Sequence, residues 1–130
     1  AGAEKLAKQA LAEKSEDPGR AFFILAEVGL RNRDVEGAKH NFEQALDATK
    51  DPKVVAWSHI YLGRLLDMQD DQENGPDRAA AVEHYRAAAA ASEALPEAKA
   101  AAEEGLAKAY VPRSARNKDL QKDDKDSGNQ

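Results

Sequence analysis

Chemistry in this chain would have to come from three histidines, one acidic turn and a few scattered hydroxyls. His40, His59 and His84 are its only imidazoles. A metal centre needs His or carboxylate groups converging at helical spacing, as two histidines at i and i+4 do on one helix face. None of the three has a second histidine at i+3 or i+4; Glu36 stands four residues before His40 and Glu83 is adjacent to His84, which is too little for a site. They are read as surface or packing side chains, with His59 turned toward a core. Residues 69–77 carry Asp70, Asp71, Glu73, Asn74 and Asp77 around Gly75, oxygen ligands of the kind a hard cation takes. Set on Gly75, the loop puts Gln72 and Asn74 at ligand places, and Ala81 stands where a bidentate glutamate belongs. That turn is read as solvated. No serine lies in a Gly-x-Ser-x-Gly elbow, and there is no Gly-rich phosphate loop, the two commonest local signatures of a nucleophile and a nucleotide site. The chain has no cysteine, which removes disulfides, thiolate zinc sites and a cysteine nucleophile. No catalytic residue, metal or cofactor is expected, and the chain is not read as an enzyme.

Charge and composition narrow the partners. A net charge of −5 and a pI near 5.2 argue against nucleic acid or an anionic membrane as the main partner. No run approaches the roughly 18 apolar residues of a membrane span, and the opening Ala1-Gly2-Ala3 is not that of a signal peptide. Cytoplasm and periplasm both stay open, and the missing initial Met fits a processed or excised chain. Alanine supplies 27 of the 54 apolar residues, whereas Val and Ile together number 8 and Thr appears once. Such material packs helices closely and cannot fill a sandwich or barrel.

The elements that must position any site are therefore helices, and proline marks where they start. Pro18, Pro52, Pro76 and Pro96 each precede a stretch of helix formers, the first-turn position that proline tolerates. Asp17, Asp34 and Asp51 stand as N-caps. Six helices are expected, at about 3–14, 18–32, 35–50, 52–69, 77–94 and 96–110, in one all-α domain spanning 1–111. Residues 112–130 are polar, with Leu120 the one apolar side chain larger than alanine after Pro112, and are expected to form a disordered tail.

The two Asp-Pro pairs lie 34 residues apart. After the first come Phe22-x-x-Leu25-Ala26 and Ala38-x-x-x-Phe42-x-x-Ala45; after the second, His59-x-x-Leu62-Gly63 and Ala81-x-x-x-Tyr85-x-x-Ala88. This pattern resembles the tetratricopeptide repeat (TPR), a helical hairpin in which small residues admit close helix approach and an aromatic fills the space between hairpins. Two full repeats are expected, at 18–50 and 52–94, with 3–14 as a leading half repeat and 96–110 as a closing helix. Gly29 stands where the family carries an aromatic, and the inner turn of the second repeat is about six residues longer than usual. The resemblance implies a right-handed α-α superhelix.

It also implies a concave groove lined by the first helix of each hairpin. With Phe22, Leu25, Ala26 and Gly29 turned inward on one groove helix and His59, Leu62, Gly63 and Leu66 on the other, the groove set is Arg20, Phe23, Glu27, Leu30, Arg31, Trp57, Ile60, Tyr61, Arg64, Asp67 and Met68. The residues expected to bind a partner are Arg20, Phe23, Glu27, Arg31, Trp57, Tyr61, Arg64 and Met68, types enriched at interfaces. Phe23 and Glu27 occupy the places where TPR clamps for C-terminal carboxylates carry Lys and Asn, so an adaptor of that kind is not expected. The function expected is a protein-interaction scaffold that binds a peptide or partner helix. Alternatives are a C-terminal structural or regulatory appendage of a longer, even enzymatic, protein, with Ala3, Ala7 and Ala10 docking upstream, and a scaffold that self-associates weakly through its open ends.

Overall fold

The computed structural model describes residues 2–12, 17–69 and 75–112. Among these there are six α-helices and no strand: α1 Gly2–Ala12, α2 Pro18–Arg31, α3 Val35–Ala48, α4 Pro52–Met68, α5 Arg78–Ala91 and α6 Pro96–Ala107. Residues 70–74 of the acidic turn and 113–130 of the expected tail lie outside the described residues.

The starts follow from capping. Asp17 Oδ1 accepts from the Arg20 amide at 3.1 Å, Asp34 Oδ1 from Gly37 at 3.0 Å, Asp51 Oδ1 from Lys53 at 3.0 Å and Asp77 Oδ1 from Ala80 at 3.1 Å. Each bond satisfies one orphan amide, worth about 1 kcal/mol. Pro18, Pro52 and Pro96 occupy the first turns.

Two helices, α5 and α6, end three residues earlier than expected. α5 stops at Ala91 because Ser92 caps it and its hydroxyl bonds back to the Ala88 carbonyl. α6 stops at Ala107 because Lys108 turns extended (φ −157°, ψ 155°). The Arg78 guanidinium takes the late carbonyls of α6, donating to Gly105 O at 2.6 Å and Leu106 O at 3.3 Å. Tyr110, expected as the last residue of the closing helix, thus lies beyond α6.

Each helix packs on the next, and α2 meets α4 as α4 meets α6. No Cα of α1 comes within 8 Å of α3, nor any of α3 within 8 Å of α5. The even-numbered helices therefore form a contiguous series, whereas the odd-numbered ones do not meet one another. Ala7 is buried as α1 packs on α2, so the alanine stripe of α1 does not form one open docking face.

One core cluster joins Ala26, Ala38, Phe42, Leu62 and Leu65; a second joins Ala56, Ile60, Ala88, Ala98 and Ala102. The fully buried Tyr85 ring lies beside Gly63 of α4 and Gly105 of α6. A Cβ on Gly63 would stand 2.7 Å from the ring, and one on Gly105 2.5 Å. At both places glycine is required by the close approach.

Candidate functional site

The series of α2, α4 and α6 places the expected groove residues unequally. Glu27, Leu30 and Arg31 of α2 and Tyr61 of α4 line one open concavity. Phe23 lies lower, with its ring edge-on to Phe42 at 5.6 Å and 6.0 Å from Tyr61. Tyr61 in turn stacks on Phe42 at 5.0 Å with an interplanar angle of 15°. Tyr61 is therefore both wall and core, and its half-burial has an electrostatic sign. Burial raises its hydroxyl pKa, Glu27 adds to the rise and Arg64 opposes it. Burial likewise raises the Glu27 carboxyl, against the pull of Arg31.

Trp57 is half-buried against the second core cluster, 6.0 Å from Tyr61. Ile60 is fully buried there, which corrects its expected place beside the groove. Met68 packs on the first cluster and lines a separate concavity with Val35 and Leu65, between α3 and the end of α4. Arg20 is exposed in the first turn of α2 and lines none of these concavities.

Arg64 is the residue around which the face is organised. Its guanidinium carbon lies 4.7 Å from the Tyr110 ring centroid and 5.9 Å from that of Tyr61, within cation–π range of both. It makes no ion pair among the described residues. On its α6 side opens a cavity of about 150 Å³, lined by Arg64, Tyr85, Ala101, Glu104, Gly105, Lys108 and Tyr110 among others. Glu104, Lys108 and Tyr110 were absent from the sequence-based groove set. One signal for Lys108 was available: Leu30, Arg64 and Lys108 each stand 12 residues after the proline that opens their helix.

Asp67, expected on the groove side, is buried and serves as a hub. It accepts from the Tyr85 hydroxyl at 2.8 Å, the Tyr110 amide at 2.8 Å and Arg78 Nη1 at 3.1 Å. The Tyr85 hydroxyl is held protonated far above the usual tyrosine range, first by burial and then by its bond to the Asp67 carboxylate. One carboxylate thereby ties α4 to α5 and to the chain leaving α6, and it sets the Tyr110 ring over Arg64.

No protein-family model, curated protein or solved structure matches this chain.

The histidines form a second polar cluster. His59 Nδ1 and His84 Nδ1 lie 2.9 Å apart across α4 and α5. The ring centroids are 5.2 Å apart, which is the N···N distance extended by one ring radius on each side. Each nitrogen therefore points straight at the other. That is the geometry of one N–H···N hydrogen bond, with opposite tautomers on the two rings, and not of two lone pairs converging on a metal ion beside the line. Among the described residues no three His, Asp or Glu side chains are grouped to hold a metal. No described helix is long and apolar enough to cross a membrane.

Proposed function

We propose that this chain is a TPR-type helical repeat whose α2–α4–α6 layer binds a segment of a protein partner. The superhelical reading is supported by the alternation of contacts, with even-numbered helices meeting and odd-numbered ones apart. It is supported further by Phe42 and Tyr85, 43 residues apart in sequence, each filling the space between successive even-numbered helices. The observation that carries the binding reading is Arg64: a guanidinium within cation–π range of two aromatic rings, with no ion-pair partner among the described residues of an acidic chain. Arginine beside aromatic surface is enriched at interface hot spots.

Arg64→Glu tests this reading, because the side chain is half-exposed and reversing it leaves the core rings in place. Tyr61→Ala would not serve, since it removes the ring stacked on Phe42. The parent chain and Arg64→Glu, with matching far-ultraviolet circular dichroism, are immobilised and exposed to lysate of the source cells. The expected result is a protein retained by the parent and lost by the variant. Identical retained sets overturn the interaction reading.

A further inference from the structure

Resting on the interaction reading, we infer that the cavity between Arg64, Lys108, Glu104 and Tyr110 is the specificity pocket of this face, and that it takes one apolar or aromatic side chain of an extended peptide whose neighbouring carboxylate is received by Arg64. The size sets the first half. The cavity measures about 150 Å³, and an apolar cavity of about 150 Å³ holds a benzene-sized group. Ala101, Tyr110 and Val111 supply the apolar part of its lining, over the fully buried Tyr85, and that part offers little to a polar side chain. The buried Tyr85 hydroxyl is already committed to Asp67 at 2.8 Å and does not serve as a donor to a ligand.

The rim sets the second half. Arg64 and Lys108 form no ion pair among the described residues, although acidic side chains outnumber basic ones, 24 to 19, over the chain. Arg64 is braced against the Tyr110 ring at 4.7 Å, so its fork is pre-oriented and loses little freedom on pairing with a carboxylate. Glu104 stands on the same rim. Two cations against one carboxylate admit a single negative group and disfavour a polyanion or a phosphate cluster. Tyr110 forms a wall whose backbone is fixed by the hydrogen bond its N–H donates to Asp67 Oδ2 at 2.8 Å, so the pocket is built before the ligand arrives.

The test uses the full chain, ¹⁵N-labelled, titrated with three peptides and followed by amide chemical shifts. The first is acetyl-Gly-Ser-Glu-Phe-Gln-Ser-Gly-amide; the second replaces Glu by Gln; the third replaces Phe by Ala. The expected result is a set of shifts centred on Arg64, Gly105, Lys108 and Tyr110 with the first peptide. Each control peptide, and the Arg64→Gln chain with the first peptide, should bind at least fivefold more weakly. Affinity for the first peptide should fall as salt rises. Equal affinity for the Gln or Ala peptide overturns the assignment, as does equal binding by Arg64→Gln. Shifts centred on Glu27, Leu30 and Arg31 also overturn it while leaving the interaction reading standing. If 3-phenylpropionate binds as tightly as the first peptide, the pocket belongs to a free small acid and the peptide assignment fails. If no peptide shifts any amide of the face, the assignment fails too, and the Arg64→Glu capture experiment judges the interaction reading separately.

Discussion

Asp67 shows how one side chain can set a surface from inside. Its carboxylate accepts from α5 through Tyr85 and Arg78 and from the chain after α6 through Tyr110. Asp67→Asn removes the charge from beneath Arg78 and turns one oxygen into a donor facing other donors. We expect a loss of about 2–4 kcal/mol in urea unfolding, with the Tyr110 amide losing its hydrogen-exchange protection first. Ser58 presents the opposite case: its hydroxyl is buried in α4 with no hydrogen-bond partner among the described residues. Ser58→Ala should leave stability unchanged or raise it by up to about 1 kcal/mol, measured the same way. The histidine pair titrates in the acid range. Burial first, then the neighbouring imidazole, lowers the His59 pKa from 6.5 to about 4. His84 is also lowered, by burial and by Lys39, with Glu43 opposing. A folded pKa below the unfolded one means that the folded state binds the proton more weakly. The stabilisation is therefore full above about pH 6.5 and is lost as pH falls toward 4. Because both rings are only half-buried, the expected loss is about 1–2 kcal/mol. It should appear as a falling urea midpoint between pH 7 and 4.5, and His59→Leu/His84→Leu should flatten that fall.

At the scale of elements, the turns hold the information that the periodicity lacks. α2 ends in a Schellman arrangement: the Asp34 amide donates to Gly29 O at 2.8 Å and the Arg33 amide to Leu30 O at 3.1 Å. The left-handed residue this requires is Arg33, at φ 61°, where glycine is the usual occupant. Arg33→Gly should raise stability by about 0.5–1 kcal/mol in thermal or urea unfolding. Helix contacts carry a stricter demand. Gly63→Leu forces atoms into the Tyr85 ring, 2.7 Å from where even a Cβ would stand, and should cost about 1–3 kcal/mol. The prolines and aspartates that start the helices were legible because each acts within one turn of chain. The ends of α5 and α6 were not, because a serine back-bond and a guanidinium from another helix decide them.

At the scale of the whole molecule, contacts among the described helices run between those one or two apart in the chain, so stability is graded along it. α1 meets α2 alone, whereas α4 meets α2, α3, α5 and α6. Hydrogen exchange should release the α1 amides well before those of α4, and equal protection would contradict a stack held by nearest neighbours. The same layout places the candidate face. Side chains of α2, α4 and α6 that are far apart in sequence become adjacent, and Arg64 lies where the concavity toward α2 gives way to the pocket toward α6.

Six helices, their starting points and the absence of strand material among the described residues were written in the chain, because capping, proline geometry and alanine content act locally. Glu27, Arg31, Tyr61 and Arg64 could be placed near one another by their spacing along two helices. Only the tertiary structure decided that Ile60 and Asp67 turn inward, that Tyr110 leaves α6 to lie on Arg64, and that His59 finds His84. Each of those outcomes depends on a partner from another helix, and the rotation of one helix against the next is set by how Phe42 and Tyr85 fit the small residues opposite them. Such a fit is a property of two surfaces together, and no spacing along a single helix contains it.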